Sequence, residues 1–297
     1  MDLQQYQFEA SQTDQVPGTD LKSLMVPLLG LAGEAGSLLT EYKKLLRDGE
    51  AYQIFKERIA EELGDILWYV ANIATKAELN LAEVAHGNLS KTRDRWYTPG
   101  ADGLLPGHGV KLFDESFPPQ EQLPRHFRAH LTEMAEGDSF KVRLMVDGEQ
   151  VGNYLTDNAY ADDGYRFHDV FHLAYAAMLG WSPVTRANIK HKRKSHPQVD
   201  EIEDGGRAIV IEEAISALVF NYAKGHSFFA AVDIIDYELL RLIKNLTSHL
   251  EVQRCSAKEW EQAILAGYHV WRPVREHRQG TVVGDLRART LVYEPLR

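Results

Sequence analysis

The feature that most constrains this chain is a set of carboxylates placed inside two apolar, helix-periodic stretches. Leu28, Leu31, Ala32, Ala35, Leu38, Leu39, Tyr42, Leu45 and Leu46 recur at helical spacing and predict a helix that Gly49 closes. Ile54, Phe55, Ile59, Leu63, Ile66, Leu67, Tyr69, Val70 and Ile73 predict a second, from about Tyr52 to Ala77. In GLAGEAGSLLTEYKK, Glu34 and Glu41 stand two turns apart and share a face. In IAEELGDILWYV, Glu62 and Asp65 stand three apart and share another, with Glu61 beside them. A short connection makes such helices antiparallel neighbours, so the acids converge.

Converging carboxylates repel, and a buried one is costly unless it is paired or bound to a metal. A divalent cation answers both problems, and hard oxygen donors suit Mg²⁺ or Mn²⁺ better than Zn²⁺. The competing reading is that the acids are solvated faces of amphipathic helices. Gly33, Gly36 and Gly64, next to the acids, point to close helix approach or to room for a ligand. The net charge of −10 argues against a surface that coats nucleic acid. It is compatible with a nucleotide held through a metal and a few local Lys and Arg.

The whole chain reads as mainly α. A shorter helix is expected before Pro27 and a third long one from Leu81 to before Pro99. The Pro- and Gly-rich stretch 99–124 reads as a linker between a unit at 1–98 and another at 125–297. In the latter, His126 to Ala135 reads as helical, Phe140 to Leu155 as a hairpin around Asp147-Gly148, and TVVGDLRARTLVYEP as a strand pair. Helices are expected at 167–180, 207–224, 228–249 and 256–267. No apolar run approaches the length of a bilayer span, the N-terminus lacks a signal-peptide core, and Cys255 is the one cysteine. A cytoplasmic protein without a membrane partner is expected.

GLAGEAGSLLTEYKK, EELGDILWYVANIA and NLSKTRDRW, in that order over about residues 20–97, resemble the MazG family of all-α nucleoside-triphosphate pyrophosphohydrolases. The resemblance implies a helical bundle completed by a second copy, as a dimer or tetramer. It implies Mg²⁺-dependent cleavage of a (d)NTP to (d)NMP and pyrophosphate. It carries over to Glu34, Glu62 and Asp65 as metal ligands. The family's second acid falls on Ser37, so Glu41 is the natural substitute and Glu61 a second candidate. That departure leaves open a weakened module that binds nucleotide without turning it over. By the same resemblance Asn88, Lys91 and Arg95 contact phosphates. Lys43 and Lys44 follow Glu41 closely and could neutralise pyrophosphate; each cation could equally be a solvated surface charge. Trp68 could stack on a base or pack in the core.

In YRFHDVFHLAYAAMLGW, His168 and His172 lie at i, i+4 with Asp169 between them, a spacing that lets two imidazoles meet one ion. Downstream, Glu212 and Glu213 sit inside an apolar run, and a basic segment carries Lys192, Arg193 and Lys194. The functional reading is a second metal or nucleotide site, or a separate metallohydrolase. The structural reading is a buried polar network that fixes helix packing. This half resembles the C-terminal domain attached to some MazG modules.

Overall fold

The computed structural model describes residues 1–97, 112–137 and 139–296. The chain divides into two compact units, Met1–Arg93 and Asp94–Arg297.

The first unit is helical. α1 (Leu3–Gln12) starts on Asp2, whose carboxylate accepts from the Gln5 amide. α2 (Leu21–Asp48) is capped by Asp20 in the same way and ends on Gly49 at φ 57°. α3 (Phe55–Lys76) and α4 (Leu81–Trp96) follow. α2 and α3 run antiparallel. Gly30 lies against Tyr69 at one end of the pair and Tyr42 against Phe55 at the other, with ring centroids 5.2 Å apart. The Gln7 side-chain amide ties α1 to the α3–α4 turn. It donates to Thr75 and to the Leu79 carbonyl, and accepts from the Leu81 amide at 2.8 Å.

Two expectations change here. α2 begins at Leu21 and runs through Pro27, so the proline sits inside the helix rather than before it. By length and composition α2 is also apolar enough to cross a membrane, contrary to the reading that no such run exists. Little of that helix is buried in the chain, and the buried apolar core of this unit is only Ala10, Ala71, Ala74 and Leu81.

The second unit is built on a five-stranded antiparallel sheet, ordered β3-β2-β1-β4-β5. The strands are β1 (His126–Glu136), β2 (Ser139–Val146), β3 (Glu149–Gln150), β4 (Gln279–Asp285) and β5 (Thr290–Glu294). The hairpin around Asp147-Gly148 and the final strand pair are as expected. His126 to Ala135 is a strand and not a helix: Phe127, Ala129 and Leu131 alternate inward, a period of two that burial in the sheet enforces.

The helices of this unit are α5 (Asp169–Leu179), α6 (Pro183–Asn188), α7 (Pro197–Ile202), α8 (Gly206–Lys224), α9 (Tyr237–Leu246) and α10 (Ala257–His277). The expected helix 228–249 is reduced to α9, because Ser227, Phe228 and Phe229 have positive φ and Asp236 caps a new start. α5 and α10 pack at the centre of the core, where Phe171 stacks on Tyr268 at 4.6 Å; Trp181, Trp260 and Trp271 are fully buried around them.

The expected linker falls partly on residues 98–111, outside the described residues. From Leu112 the chain is packed into the second unit. Asp114 is buried, accepting from the Leu123 amide at 2.7 Å and from Arg186 at 2.6 Å. Glu121 accepts from the Ser195 amide and hydroxyl.

Candidate functional site

The α2–α3 pair brings the predicted acids together. Glu34 and Glu62 are half-buried, Glu41 is buried and Asp65 exposed. The Glu62 carboxyl is held above the usual carboxylate range. Desolvation is the largest cause, then its hydrogen bond with Glu34 and the charges of Glu34, Glu41 and Asp65. Glu34, Glu41 and Asp65 all act on Glu62, so the four acids form one electrostatic cluster around it.

Glu41 differs in kind. Its carboxylate accepts from Lys44 Nζ at 2.6 Å and from the Tyr52 hydroxyl, and these partners hold it below the usual range. Lys44 is therefore engaged with Glu41, whereas Lys43 is exposed. Tyr52 escaped the sequence reading, since nothing in its spacing links it to the acids. Glu61 points away to Arg58, 2.7 Å off, in an exposed pair.

Gly33, Gly36 and Gly64 have nothing within 4 Å of where a Cβ would stand, so close helix approach is not their role. The close approach falls at Gly30, where a Cβ would come within 2.3 Å of the Tyr69 ring. The space beside the acids is open.

Trp68 is half-buried beside the small core, and its indole N–H donates to Thr13 at 2.8 Å. Asn88 and Lys91 are exposed on α4. Arg95 is buried in the second unit, donating to Glu261 at 2.9 Å and to the Ile235 carbonyl at 2.7 Å. Its guanidinium is thus committed to protein partners.

The second unit assembles another centre. His168 caps α5, Asp169 opens it and His172 lies one turn on. His168 Nδ1 donates to the Tyr165 carbonyl at 2.8 Å, under the stacked Tyr165 ring. His172 Nδ1 meets Glu212 Oε1 at 2.8 Å. Glu212 is fully buried and also accepts from the Ser182 hydroxyl at 2.6 Å and the Val184 amide at 2.8 Å. Glu213, half-exposed, turns Oε2 toward both imidazoles, 3.5 Å from His172 Nε2 and 3.8 Å from His168 Nε2. Ligand atoms of His168, Asp169 and His172 all lie within 4.8 Å of one another. Burial alone would lower the His172 pKa, but Glu212 and then Glu213 push it up to about 10.

The basic segment belongs elsewhere. Arg193 is buried between Asp204 and Glu251, each at 2.7 Å, so it locks the fold. Lys192 and Lys194 have no recorded contact with the histidine centre among the described residues; Lys192 is half-buried and Lys194 exposed.

The chain is thus a two-part protein with an acid-bearing helical hairpin in one unit and an imidazole–carboxylate centre in the other. The chain belongs to the MazG family: residues 108–297 match the MazG C-terminal domain and residues 27–97 the MazG nucleotide pyrophosphohydrolase domain. The chain is similar to the Gene 37 protein of Mycobacterium phage L5, at 38% identity over 96 residues, which is 30% of this chain and 84% of that protein. No solved structure matches it.

Proposed function

We propose that the first unit hydrolyses a nucleoside triphosphate to the monophosphate and pyrophosphate, with Mg²⁺ or Mn²⁺ held by Glu34, Glu62 and Asp65. The observation that carries this reading is the shared electrostatics of those acids on α2 and α3, inside the segment that matches a nucleotide pyrophosphohydrolase domain. The donor set fits a hard cation: it is all carboxylate, it stands beside open space, and Glu62 is pushed toward its neutral form by neighbours that a cation would neutralise. Such an ion, when bound, neutralises the triphosphate and makes the α-phosphorus more electrophilic.

The side chains then divide the work. Glu62, at the centre of the acids, is placed to orient the attacking water or to take its proton. Glu41 is kept anionic by Lys44 and Tyr52 and supplies a fixed negative charge on the same face in place of the acid that Ser37 lacks. Lys43, Asn88 and Lys91 are exposed donors available to phosphate oxygens.

A second copy of the chain completes this unit. Leu29, Leu39 and Leu46 on α2 are 65%, 69% and 86% exposed, and Leu63 and Leu67 on α3 are 50% and 39% exposed. A helical unit that buries four small or aliphatic residues cannot offset its own chain entropy without covering that face. A neighbouring copy supplies the matching apolar surface, and with it the proposed oligomer.

The test is a panel of (d)NTPs incubated with the full chain and Mg²⁺, with products resolved by chromatography. Pyrophosphate and a monophosphate are expected, and Glu62→Gln should cut the rate at least about a hundredfold. Release of inorganic phosphate instead would overturn the reading. Nucleotide binding without any turnover would favour the alternative that Ser37 marks a module that only binds.

A further inference from the structure

We propose that His168, His172, Glu213 and Asp169 in the second unit hold one divalent transition-metal ion of the Zn²⁺ type, separate from the hard-cation site of the first unit. Four observations converge on it.

The tautomers are set by the partners of the two rings. A carbonyl oxygen can only accept, so His168 Nδ1 carries its proton toward Tyr165 and leaves the Nε2 lone pair free. Glu212 accepts from His172 Nδ1 and so directs the lone pair of His172 Nε2 inward as well. This is the carboxylate–histidine support by which proteins orient metal-binding imidazoles. Glu212 itself has little left to offer an ion, because Ser182 and Val184 already use its oxygens.

His172 Nε2 is fully buried and has no hydrogen-bond partner, on a residue only 1% exposed. A buried polar atom left in this state costs about 1–3 kcal/mol, and its nearest acceptor, Glu213 Oε2, stands 3.5 Å away.

The spacing fits an ion better than a hydrogen bond. The distances of 3.5 and 3.8 Å from Glu213 Oε2 to the two Nε2 atoms exceed an N–H···O bond of about 2.7–3.2 Å. Two ligands each about 2.1 Å from one tetrahedral ion stand about 3.4 Å apart.

Asp169 is 6% exposed, and its charge acts on the His168 imidazole beside it. It lies with both imidazoles in the cluster whose ligand atoms fall within 4.8 Å. A buried carboxylate placed beside two imidazole lone pairs favours a positive charge between them. Two nitrogen donors direct the choice away from Mg²⁺ and toward Zn²⁺ and its first-row neighbours.

The competing occupant is a proton, with His172 as an imidazolium between Glu212 and Glu213 and no metal. Titrating chelator-treated full-length Glu62→Gln protein with Zn²⁺ in a calorimeter separates the two, since that background cripples the first unit's site. One Zn²⁺ per chain is expected, and Co²⁺ in its place should give the visible bands of a four-coordinate nitrogen-and-oxygen site. His172→Gln should abolish the binding. Glu213→Gln alters a half-exposed side chain, keeps the fold by circular dichroism, and should weaken binding at least tenfold; it decides the matter should the His172 variant unfold. Folded protein that takes up no Zn²⁺, or binding that Glu213→Gln leaves unchanged, would overturn the proposal.

Discussion

At the residue scale, the two sites differ in how their acids are treated. In the first unit Glu62 is destabilised as an anion while Glu41 is stabilised as one, although they lie on facing helices. The difference lies in desolvation and a neighbouring carboxylate for Glu62, against an ammonium and a phenol for Glu41. Arg95 shows the opposite fate for a residue whose sequence context points to phosphate. Its side chain is 7% exposed and its Glu261 partner is wholly buried. Glu261 keeps Lys258 and the Ile235 amide as partners, so Arg95→Ala should destabilise the second unit by about 1–3 kcal/mol, the cost of the hydrogen bonds it leaves unmade. Urea unfolding checks this. A variant of unchanged stability whose KM alone rises would return Arg95 to the substrate.

At the element scale, the α2–α3 hairpin was readable because its apolar period is long and its breaker, Gly49, is unambiguous. Its closest contact was not. Gly30 is the position where α2 meets the Tyr69 ring, and only the register of the pair reveals it. Gly30→Ala should cost about 1–3 kcal/mol through overpacking. Gly33→Ala, in open space, should gain up to about 1 kcal/mol of helix propensity. Both are measured by chemical denaturation of dilute protein, and equal effects would show the register to be wrong. The strand at His126–Glu136 was misread because an apolar residue at every second position, flanked by Arg, His and Thr, also satisfies part of a helical pattern in a short window. Pairing with β2 and β4 on its two sides decides the matter.

At the scale of the whole molecule, the units differ sharply in self-sufficiency. The second buries a continuous aromatic and aliphatic core laced with ion pairs, among them Arg186 to Asp114 and Arg193 to Asp204. The first leaves large aliphatic side chains in solvent. Light scattering should therefore give a mass at least twice the 33.7 kDa of one chain. Leu39→Glu should shift the species toward the monomer by placing a charge on the apolar face. A wild-type monomer at micromolar concentration would sink the proposed oligomer.

What depends on local pattern is legible in the chain: the helical hairpin, the acids on its facing surfaces, and the i, i+4 histidines. Side-chain periodicity is a property of neighbouring residues and survives without the fold. Which of those groups are free depends on the fold as a whole. It committed Arg95 and Arg193 to buried carboxylates, assigned Glu212 to hold His172 while Glu213 faces it, and folded 112–124 into the second unit through Asp114 and Arg186. Each of these outcomes depends on a partner between 11 and 166 residues away, and the pairing energy of a buried charge is set by that partner rather than by its neighbours in the chain.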